Sequence, residues 1–208
     1  MRILWARHGQ NVANLTRTLS HRVFDGDLTD LGRQQAELLA DQLASGRGDR
    51  VGQILCSPLR RARQTARIIN DRLGLPVACE LDDLRELNVG SLDGRSDDDA
   101  WVAYNAVLAA WSAGQVTARF PGGEDYGELC TRLRRALVTA ARAPVGSTTL
   151  IAAHGASLRA AIPGLTGEPA PAVDLATGAT ATLHVDVDVG AQAPVVRLVN
   201  WPEAGPAG

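Results

Sequence analysis

The sequence predicts an α/β fold, a three-layer sandwich in which helices flank a mostly parallel central sheet. Short apolar runs at residues 3–6, 53–56 and 148–153 are typical of buried strands. Segments with helical periodicity separate these runs, and strands that alternate with helices favour a parallel sheet covered on both faces. Ligands bind outside the carboxyl ends of the strands in such sheets. The residues that follow each strand are therefore the first candidates for a site.

Caps and periodicity predict the other elements in chain order. Thr29 or Asp30 can cap a helix that runs to about residue 43. Pro58 suits the first turn of a helix that ends near residue 73. The buried side of the first helix is expected to carry Leu31, Leu38, Leu39 and Leu43. The remaining expectations are strands at 77–81, 180–187 and 195–199 and helices at 97–113 and 124–142.

Composition limits the classes of function. The chain has 208 residues and a net charge of −2, so its overall charge attracts neither nucleic acid nor an anionic membrane. We expect one domain over residues 1–201, with a small cap over the site at about 91–123, and a flexible tail at 202–208. No apolar run approaches the roughly 18 residues of a membrane span. With an N-terminal apolar run too short for a signal peptide, this predicts a cytoplasmic protein.

The ionisable side chains point to anions. All 21 basic residues are arginine, whose planar fork suits phosphate and carboxylate groups. Cys56, Cys79 and Cys130 have no paired spacing, and they are typical of buried free thiols rather than of a disulfide frame or a zinc site.

Two histidines lie at predicted strand ends, and each precedes a glycine that would leave room for a tetrahedral group. They are His8 and His154. Arg7 and Arg61 can add forked donors at the same edge, and Glu86 lies in a polar loop placed to reach it. Imidazole, guanidinium and carboxyl groups together suit phosphoryl transfer, with an attacking histidine, cations on the phosphoryl oxygens and an acid for the departing alkoxide.

Several motifs in order resemble those of the histidine phosphatase superfamily, also called the phosphoglycerate mutase-like family, and favour its phosphatase branch. They cover about 160 residues. They comprise Arg7-His8-Gly9 with Asn14, Leu28-Thr29 with Gly32, Gln35 and Ala36, the segment 57–66, the loop 84–94 with Glu86, Gly90 and Gly94, Pro121-Gly122-Gly123-Glu124, and His154-Gly155 with Arg159.

The resemblance implies a role for each matching residue. It makes His8 the nucleophile and Glu86 the proton donor that later activates water. It places Arg7, Arg61 and His154 on the phosphoryl oxygens, with Asn14 and Gly155 as supporting phosphate-binding residues. It also implies a small-molecule phosphate ester as substrate, no metal or other cofactor, and a possible homodimer.

The chain departs from its relatives at two places. Ser20, His21 and Arg22 replace a glycine and an aromatic residue near the expected pocket mouth, so they are candidates for substrate contact. Asp125 follows Pro-Gly-Gly-Glu where relatives often have serine, and we expect it to point away from the phosphate. An aromatic stripe on the helix 97–113 could roof the pocket or belong to the core. It consists of Trp101, Tyr104 and Trp111.

Three other functions stay open at this point. A phosphoglycerate mutase is less favoured, because Leu87 follows Glu86, the span 91–120 is short and lysine is absent. A metal site formed by His8, Glu86 and His154 is disfavoured by the neighbouring arginines. A binding module of the same fold would be expected to lack one of the core residues.

Overall fold

A six-stranded mixed sheet forms the centre of the molecule. The computed structural model describes residues 1–46, 50–76, 78–142, 147–187 and 194–202. The strands lie in the order β3-β2-β4-β1-β5-β6. The first four strands in this order are parallel to one another, β5 is antiparallel to β1, and β6 is antiparallel to β5. The strands are β1 (Arg2–Arg7), β2 (Val51–Cys56), β3 (Cys79–Glu80), β4 (Thr148–Ala153), β5 (Thr180–Asp186) and β6 (Val195–Asn200).

Helices cover both faces of this sheet, as the predicted three-layer fold requires. Alternate residues of β1 enter two separate hydrophobic clusters: Ile3 and Trp5 belong to one, Leu4 and Ala6 to the other. The helices are α1 (Val12–Thr16), α2 (Asp30–Ala44), α3 (Arg60–Leu73), α4 (Asp98–Ser112), α5 (Tyr126–Ala140) and α6 (Gly155–Thr166), with 3-10 turns at Asp82–Leu84 and Gly90–Leu92. None of the described helices is long and apolar enough to cross a membrane.

Side-chain caps fix where several helices begin. The Thr29 hydroxyl accepts the Gly32 amide ahead of α2, and the Asp97 carboxylate accepts the Ala100 amide ahead of α4. Asp125 caps α5 and pairs with Arg119 at 2.7 Å. Asp125 is thus engaged outside the candidate site, as the sequence suggested.

Some sequence predictions were wrong in detail. Only half of the expected face of α2 is buried: Leu39 and Leu43 pack in the core, whereas Leu31 and Leu38 are 48% and 61% exposed. Small residues such as Ala36 and Ala40 complete the buried face. Cys79 is exposed, whereas Cys56 and Cys130 are buried free thiols as expected. The strand expected at 77–81 is limited to β3, with residue 77 outside the described residues, as is the expected tail beyond residue 202. Neither α1 nor α6 was predicted.

A close backbone approach explains the small face of α2. A Cβ atom on Gly9 would lie 2.1 Å from the Gly32 carbonyl oxygen, and one on Gly32 would lie 1.9 Å from the Gln10 carbonyl oxygen. The loop after β1 therefore lies directly on the first turn of α2. Gly9 makes room for this contact rather than for a bound phosphate, which corrects the sequence interpretation.

This contact predicts a large cost for a single methyl group. Gly32→Ala should lower the free energy of unfolding by about 2 kcal/mol or more, because backbone atoms must move to accept it. Urea unfolding measures the change.

Gly127→Ala is the matched control, since Gly127 also lies in the first turn of a helix and its added Cβ would meet only the Asp125 carboxylate at 3.4 Å. The control should be neutral or stabilising, because alanine favours a helix over glycine. Equal stability of the two variants would contradict this account of the contact.

Candidate active site

Strand pairing brings three polar segments to one edge of the sheet. Arg7 on β1 lies opposite Ala153 on β4, and Cys56 on β2 lies opposite Ala152. The amide of His8 continues this ladder by donating to the Ala153 carbonyl at 2.9 Å. The residues that follow β1, β2 and β4 are consequently neighbours, as the sequence predicted from the strand ends.

His8 is buried at this edge with its two ring nitrogens in different environments. Its side chain is among the buried polar groups, at 3% exposure. Nδ1 lies 2.7 Å from the Gly9 carbonyl oxygen, which can only accept, so Nδ1 carries the proton. Nε2 then holds the lone pair, and it accepts a hydrogen bond from Nε of Arg61 at 3.0 Å.

Burial and two arginines keep this imidazole neutral. Loss of solvent is the main reason that the pKa of His8 lies well below its usual range, and the positive charges of Arg61 and Arg7 lower it further. A neutral ring with a fixed tautomer is the form of histidine that can act as a nucleophile.

The two arginines are held from behind by other contacts. Arg61 is 2% exposed, and its guanidinium donates to the hydroxyl and the carbonyl of Ser20 at 2.9 and 3.0 Å. Arg7 donates to the Leu175 carbonyl at 2.6 Å. These contacts orient both planar groups before any ligand arrives, so little side-chain entropy remains to be lost on binding.

His154 lies beside His8 and is completely buried. The ring centroids are 5.3 Å apart in an edge-to-face arrangement. Nε2 of His154 contacts the Ser57 hydroxyl at 2.8 Å, while Nδ1 has no hydrogen-bond partner among the described residues. Burial first, and then the charge of Arg61, place the pKa of His154 well below its usual range.

Glu86 enters the site against the first turn of α6. Its Oε1 atom accepts backbone hydrogen bonds from Ser157 at 2.7 Å and from Leu87 at 3.0 Å. The other oxygen, Oε2, is left for a proton or a ligand. A helix N-terminus offers such donors to a carboxylate because its first amides lack partners within the helix.

A cavity of about 290 Å³ is bordered by His8, the two arginines and Glu86. Its lining includes six of the predicted residues: Arg7, His8, Asn14, Ser20, Arg61 and Glu86. The far end lies between α4 and α6. Trp101 and Tyr104 of the aromatic stripe line this end, whereas Trp111 packs against Phe120 in the core.

Four predicted residues do not line the cavity, and His154 is one of them, because its side chain is fully buried beside His8. The His21 ring is buried against the Glu86 carbonyl at 2.8 Å, and Arg22 is exposed and pairs with Asp82 at 3.4 Å. Both are turned away because their backbone amides bind the Asp93 carboxylate at 2.8 and 2.6 Å. A Cβ on Gly155 would meet the Arg7 side chain at 3.0 Å, so this glycine makes room for an arginine rather than for phosphate.

Sequence reasoning missed other lining residues. Asn11 is fully buried, caps α1 and carries an Nδ2 group with no partner among the described residues. Its position three residues before Asn14 is a capping-box spacing that could have indicated it. Asp174 precedes the antiparallel strand β5, which starts at the same sheet edge. No local signal marks that placement.

A second open groove runs along α3, with a volume of about 790 Å³. It contains none of the predicted site residues. Its arginines face acidic partners in three pairs, which are Arg60 with Asp27, Arg63 with Glu80 and Arg67 with Asp71. Among the described residues, no group of three or more histidine, cysteine, aspartate or glutamate side chains could hold a metal ion.

Known proteins share this fold and these motifs. The family model described as "Histidine phosphatase superfamily (branch 1)" matches residues 3–202. A probable phosphoglycerate mutase GpmB from Yersinia pestis is 34% identical over 172 residues, covering 83% of this chain and 78% of the relative.

Solved structures give the same picture. A mycobacterial glucosyl-3-phosphoglycerate phosphatase in complex with VO3 has a TM-score of 0.77 and 26% identity, covering 98% of this chain and 99% of that one. A putative α-ribazole-5′-P phosphatase from Escherichia coli K-12 has a TM-score of 0.71 and 25% identity, covering 100% and 99%.

The neutral, buried histidines predict a loss of stability in mild acid. Histidine in the unfolded chain takes up protons below about pH 6.5, whereas His8 and His154 in the fold resist protonation. The contribution of the two histidines to the free energy of unfolding should be constant above about pH 7. Below about pH 6.5 the free energy of unfolding should fall by up to about 1.4 kcal/mol per pH unit for each histidine.

Urea unfolding between about pH 7.5 and 5.5 measures this slope, a range above the usual titration of carboxyl groups. His154→Asn should reduce it. A stability that does not change over this range would contradict the buried, neutral state of the two rings.

Proposed function

We propose that the chain, which belongs to the histidine phosphatase superfamily, is a phosphomonoesterase that forms a covalent phosphohistidine on His8. One observation carries the proposal. The Nε2 lone pair of a neutral, buried imidazole borders a small cavity that is also lined by two guanidiniums and a carboxyl group. Superfamily membership supports it, as do the names of the similar solved structures, two of which are phosphatases of small phosphorylated metabolites.

The first step transfers the phosphoryl group to the protein. His8 Nε2 attacks phosphorus while the bond to the ester oxygen breaks, and protonated Glu86 gives its proton to the departing alkoxide from Oε2. Arg7 and Arg61 hold the non-bridging oxygens and stabilise their charge in the transition state. Arg61 exchanges its bond to Nε2 for a bond to phosphate as the ester binds.

The second step returns the enzyme to its starting state. Water attacks phosphorus, Glu86 now takes the proton from that water, and the phosphorus–nitrogen bond breaks. The electron pair of that bond returns to Nε2, and inorganic phosphate leaves. The Gly9 carbonyl stabilises the Nδ1 proton throughout, so the ring keeps one tautomer over the cycle.

His154 and the two asparagines complete the phosphate site in this proposal. The unpartnered Nδ1 of His154 and Nδ2 of Asn11 gain acceptors when a phosphoryl oxygen is bound. A bound dianion raises the proton affinity of His154, which then acts as a cationic donor. Asn14 lines the same end of the cavity and adds an amide.

The geometry favours hydrolysis over mutase chemistry. A mutase must hold a second anionic group of its substrate, but the groups suited to anions lie at one end of this cavity. At the far end, Arg159 is the one further cation among the described lining residues, and Asp174 pairs with it at 3.5 Å. The named relative is a probable mutase, so isomerisation remains the alternative to test.

Residues 91–123 act as the cap in this proposal, because α4 supplies the aromatic wall of the cavity. A single domain over residues 1–201, a homodimer and a cytoplasmic location stay predictions.

Replacement of the nucleophile should abolish turnover. His8→Asn should lower kcat for p-nitrophenyl phosphate by roughly a thousandfold or more, since removal of a nucleophile disables both steps. His184→Asn is the matched control, because His184 lies on β5 and is 42% exposed at its side chain. Phosphate release near pH 6.5 measures both.

Incubation with 3-phosphoglycerate and its bisphosphate separates the two candidate functions. We expect phosphate release without the 2-isomer. Isomer formation without phosphate release would establish the mutase alternative, and full activity of His8→Asn would remove His8 as the nucleophile.

A further inference from the structure

The far half of the cavity provides a second subsite for the leaving group. Its walls are helices α4 and α6, with Trp101, Tyr104 and Leu108 on one side and Ala156 and Ala160 on the other. The whole cavity measures about 290 Å³, near the small end of ligand sites. This volume suits a small alcohol beside the phosphate.

The charges of this subsite cancel. Arg159 donates to the carbonyls of Pro171 and Ala172 at 2.8 and 3.4 Å, and it pairs with Asp174 at 3.5 Å. The side chain of Asp174 is 79% exposed, and the residue belongs to the lining of the cavity. A carboxylate or second phosphate on the substrate would be repelled by Asp174 and would compete with it for Arg159.

The rest of the subsite combines an apolar wall with hydroxyl and amide groups. Tyr104 is held edge-on to Trp101 at 5.3 Å and stacked on Phe120 at 5.6 Å, so the wall is rigid. Burial raises the pKa of Tyr104, and its hydroxyl stays a neutral hydrogen-bonding group. The amide of Asn105 also lines the cavity.

From this arrangement we infer that the protein prefers phosphate monoesters of uncharged, hydroxyl-bearing alcohols, with Asp174 disfavouring acidic leaving groups. The inference rests on the proposed hydrolysis and adds the substrate class. The carbon–hydrogen face of the alcohol packs on the aromatic wall formed by Trp101 and Tyr104. One of its hydroxyl groups donates a hydrogen bond to the carboxylate of Asp174.

Glycerol 3-phosphate and 3-phosphoglycerate form the matched test pair, because they differ only by a hydroxymethyl group in place of a carboxylate. The unmodified protein should favour glycerol 3-phosphate in kcat/KM. Asp174→Asn should raise kcat/KM for 3-phosphoglycerate by about fivefold. This is the effect expected from removing the repulsion between two like charges at about 4 Å in water. The same variant should leave glycerol 3-phosphate nearly unchanged.

Asp71→Asn is the control, since Asp71 also pairs with an arginine but lies on α3 outside this cavity. A preference for 3-phosphoglycerate, or an equal effect of Asp174→Asn on both esters, would overturn the inference. If the protein hydrolysed neither of these two esters nor p-nitrophenyl phosphate, the hydrolase proposal itself would be overturned.

A separate observation concerns the backbone of Glu86. Its carbonyl oxygen accepts from two side chains, Nδ1 of the buried His21 at 2.8 Å and Nη2 of the partly buried Arg132 at 3.2 Å. His21 is 4% exposed, and its Nε2 accepts from Nε of Arg22 at 3.1 Å. The ring therefore carries its proton on Nδ1, and this N–H donates a hydrogen bond to the backbone carbonyl of Glu86.

Arg132 ties the same segment to helix α5. Its Nη1 donates to the carbonyls of Asp83 and Arg85 at 2.8 and 2.7 Å. Both oxygens of Glu124 accept from Arg132 at 2.8 Å, and Glu124 also accepts the Asn88 amide at 2.9 Å. The segment before and after Glu86 is thus fixed by one ion pair whose side chains are 13% and 6% exposed.

We propose that His21 and Arg132 are positioning residues that aim the Glu86 carboxyl group at the leaving-group oxygen. This also rests on the proposed function, in which Glu86 is the acid. Two donors on one carbonyl resist rotation of the peptide that carries the side chain. The Oε1 contacts to Ser157 and Leu87 then leave Oε2 in one direction.

Leaving groups of different basicity separate positioning from a merely structural role. The alkoxide of glycerol 3-phosphate needs a proton as it departs, whereas p-nitrophenolate does not. His21→Ala should therefore lower kcat about tenfold more for glycerol 3-phosphate than for p-nitrophenyl phosphate, a part of the 10²–10⁴ that an acid contributes. His21→Asn should restore much of the loss, because its amide can donate from near the Nδ1 position.

Arg135→Ala is the control on the same helix. Arg135 binds the Asp83 carboxylate at 2.7 Å but makes no hydrogen bond to Glu86 among the described contacts. Glu86→Gln sets the reference pattern. If it affects alkyl and aryl esters equally, the acid role itself fails. If it is selective and His21→Ala is not, the positioning proposal is overturned.

Discussion

The pairing of β1 with β4, and of β4 with β2, is the constraint on which the candidate site depends. Parallel strands end at the same edge, so residues far apart in the chain become neighbours without any contact of their own. His8 and His154 follow paired strands, and their rings meet at 5.3 Å. A shift of β1 by one residue in this register would turn the His8 ring to the other face of the sheet, away from His154.

Burial at this edge determines the chemistry that is possible. Removing solvent favours neutral imidazoles and strengthens the fields of the arginines beside them, so the same environment suits both the proposed nucleophile and the proposed binding of an anion. The cost falls on stability, because two rings that resist protonation oppose the fold in acid. In the proposed mechanism, binding of a phosphate dianion relieves part of this cost by giving His154 a counter-charge.

The parts of this site that could be predicted from the sequence are those that local chemistry determines. Apolar runs followed by histidine and glycine located β1 and β4, and Thr29 located the start of α2. The direction of the His21 side chain could not be predicted. It depends on the hydrogen bond from the His21 backbone amide to the carboxylate of Asp93, 72 residues later in the chain. The place of Asp174 likewise depends on β5 running antiparallel to β1.

Arginine is suited to this architecture in a way that lysine is not. Arg7, Arg61, Arg132 and Arg159 each donate to at least one backbone carbonyl, and three of them also line the cavity. A guanidinium has five donors in a plane, so some can fix the group to the fold while others remain for a ligand or a carboxylate. An ammonium group has its three donors on one atom. It would therefore be less well oriented if it had to contact both the fold and a ligand. Because each of these arginines is anchored in this way, the site is ordered by contacts within the protein, and in the proposed specificity the paired Asp174 then influences which leaving groups are accepted.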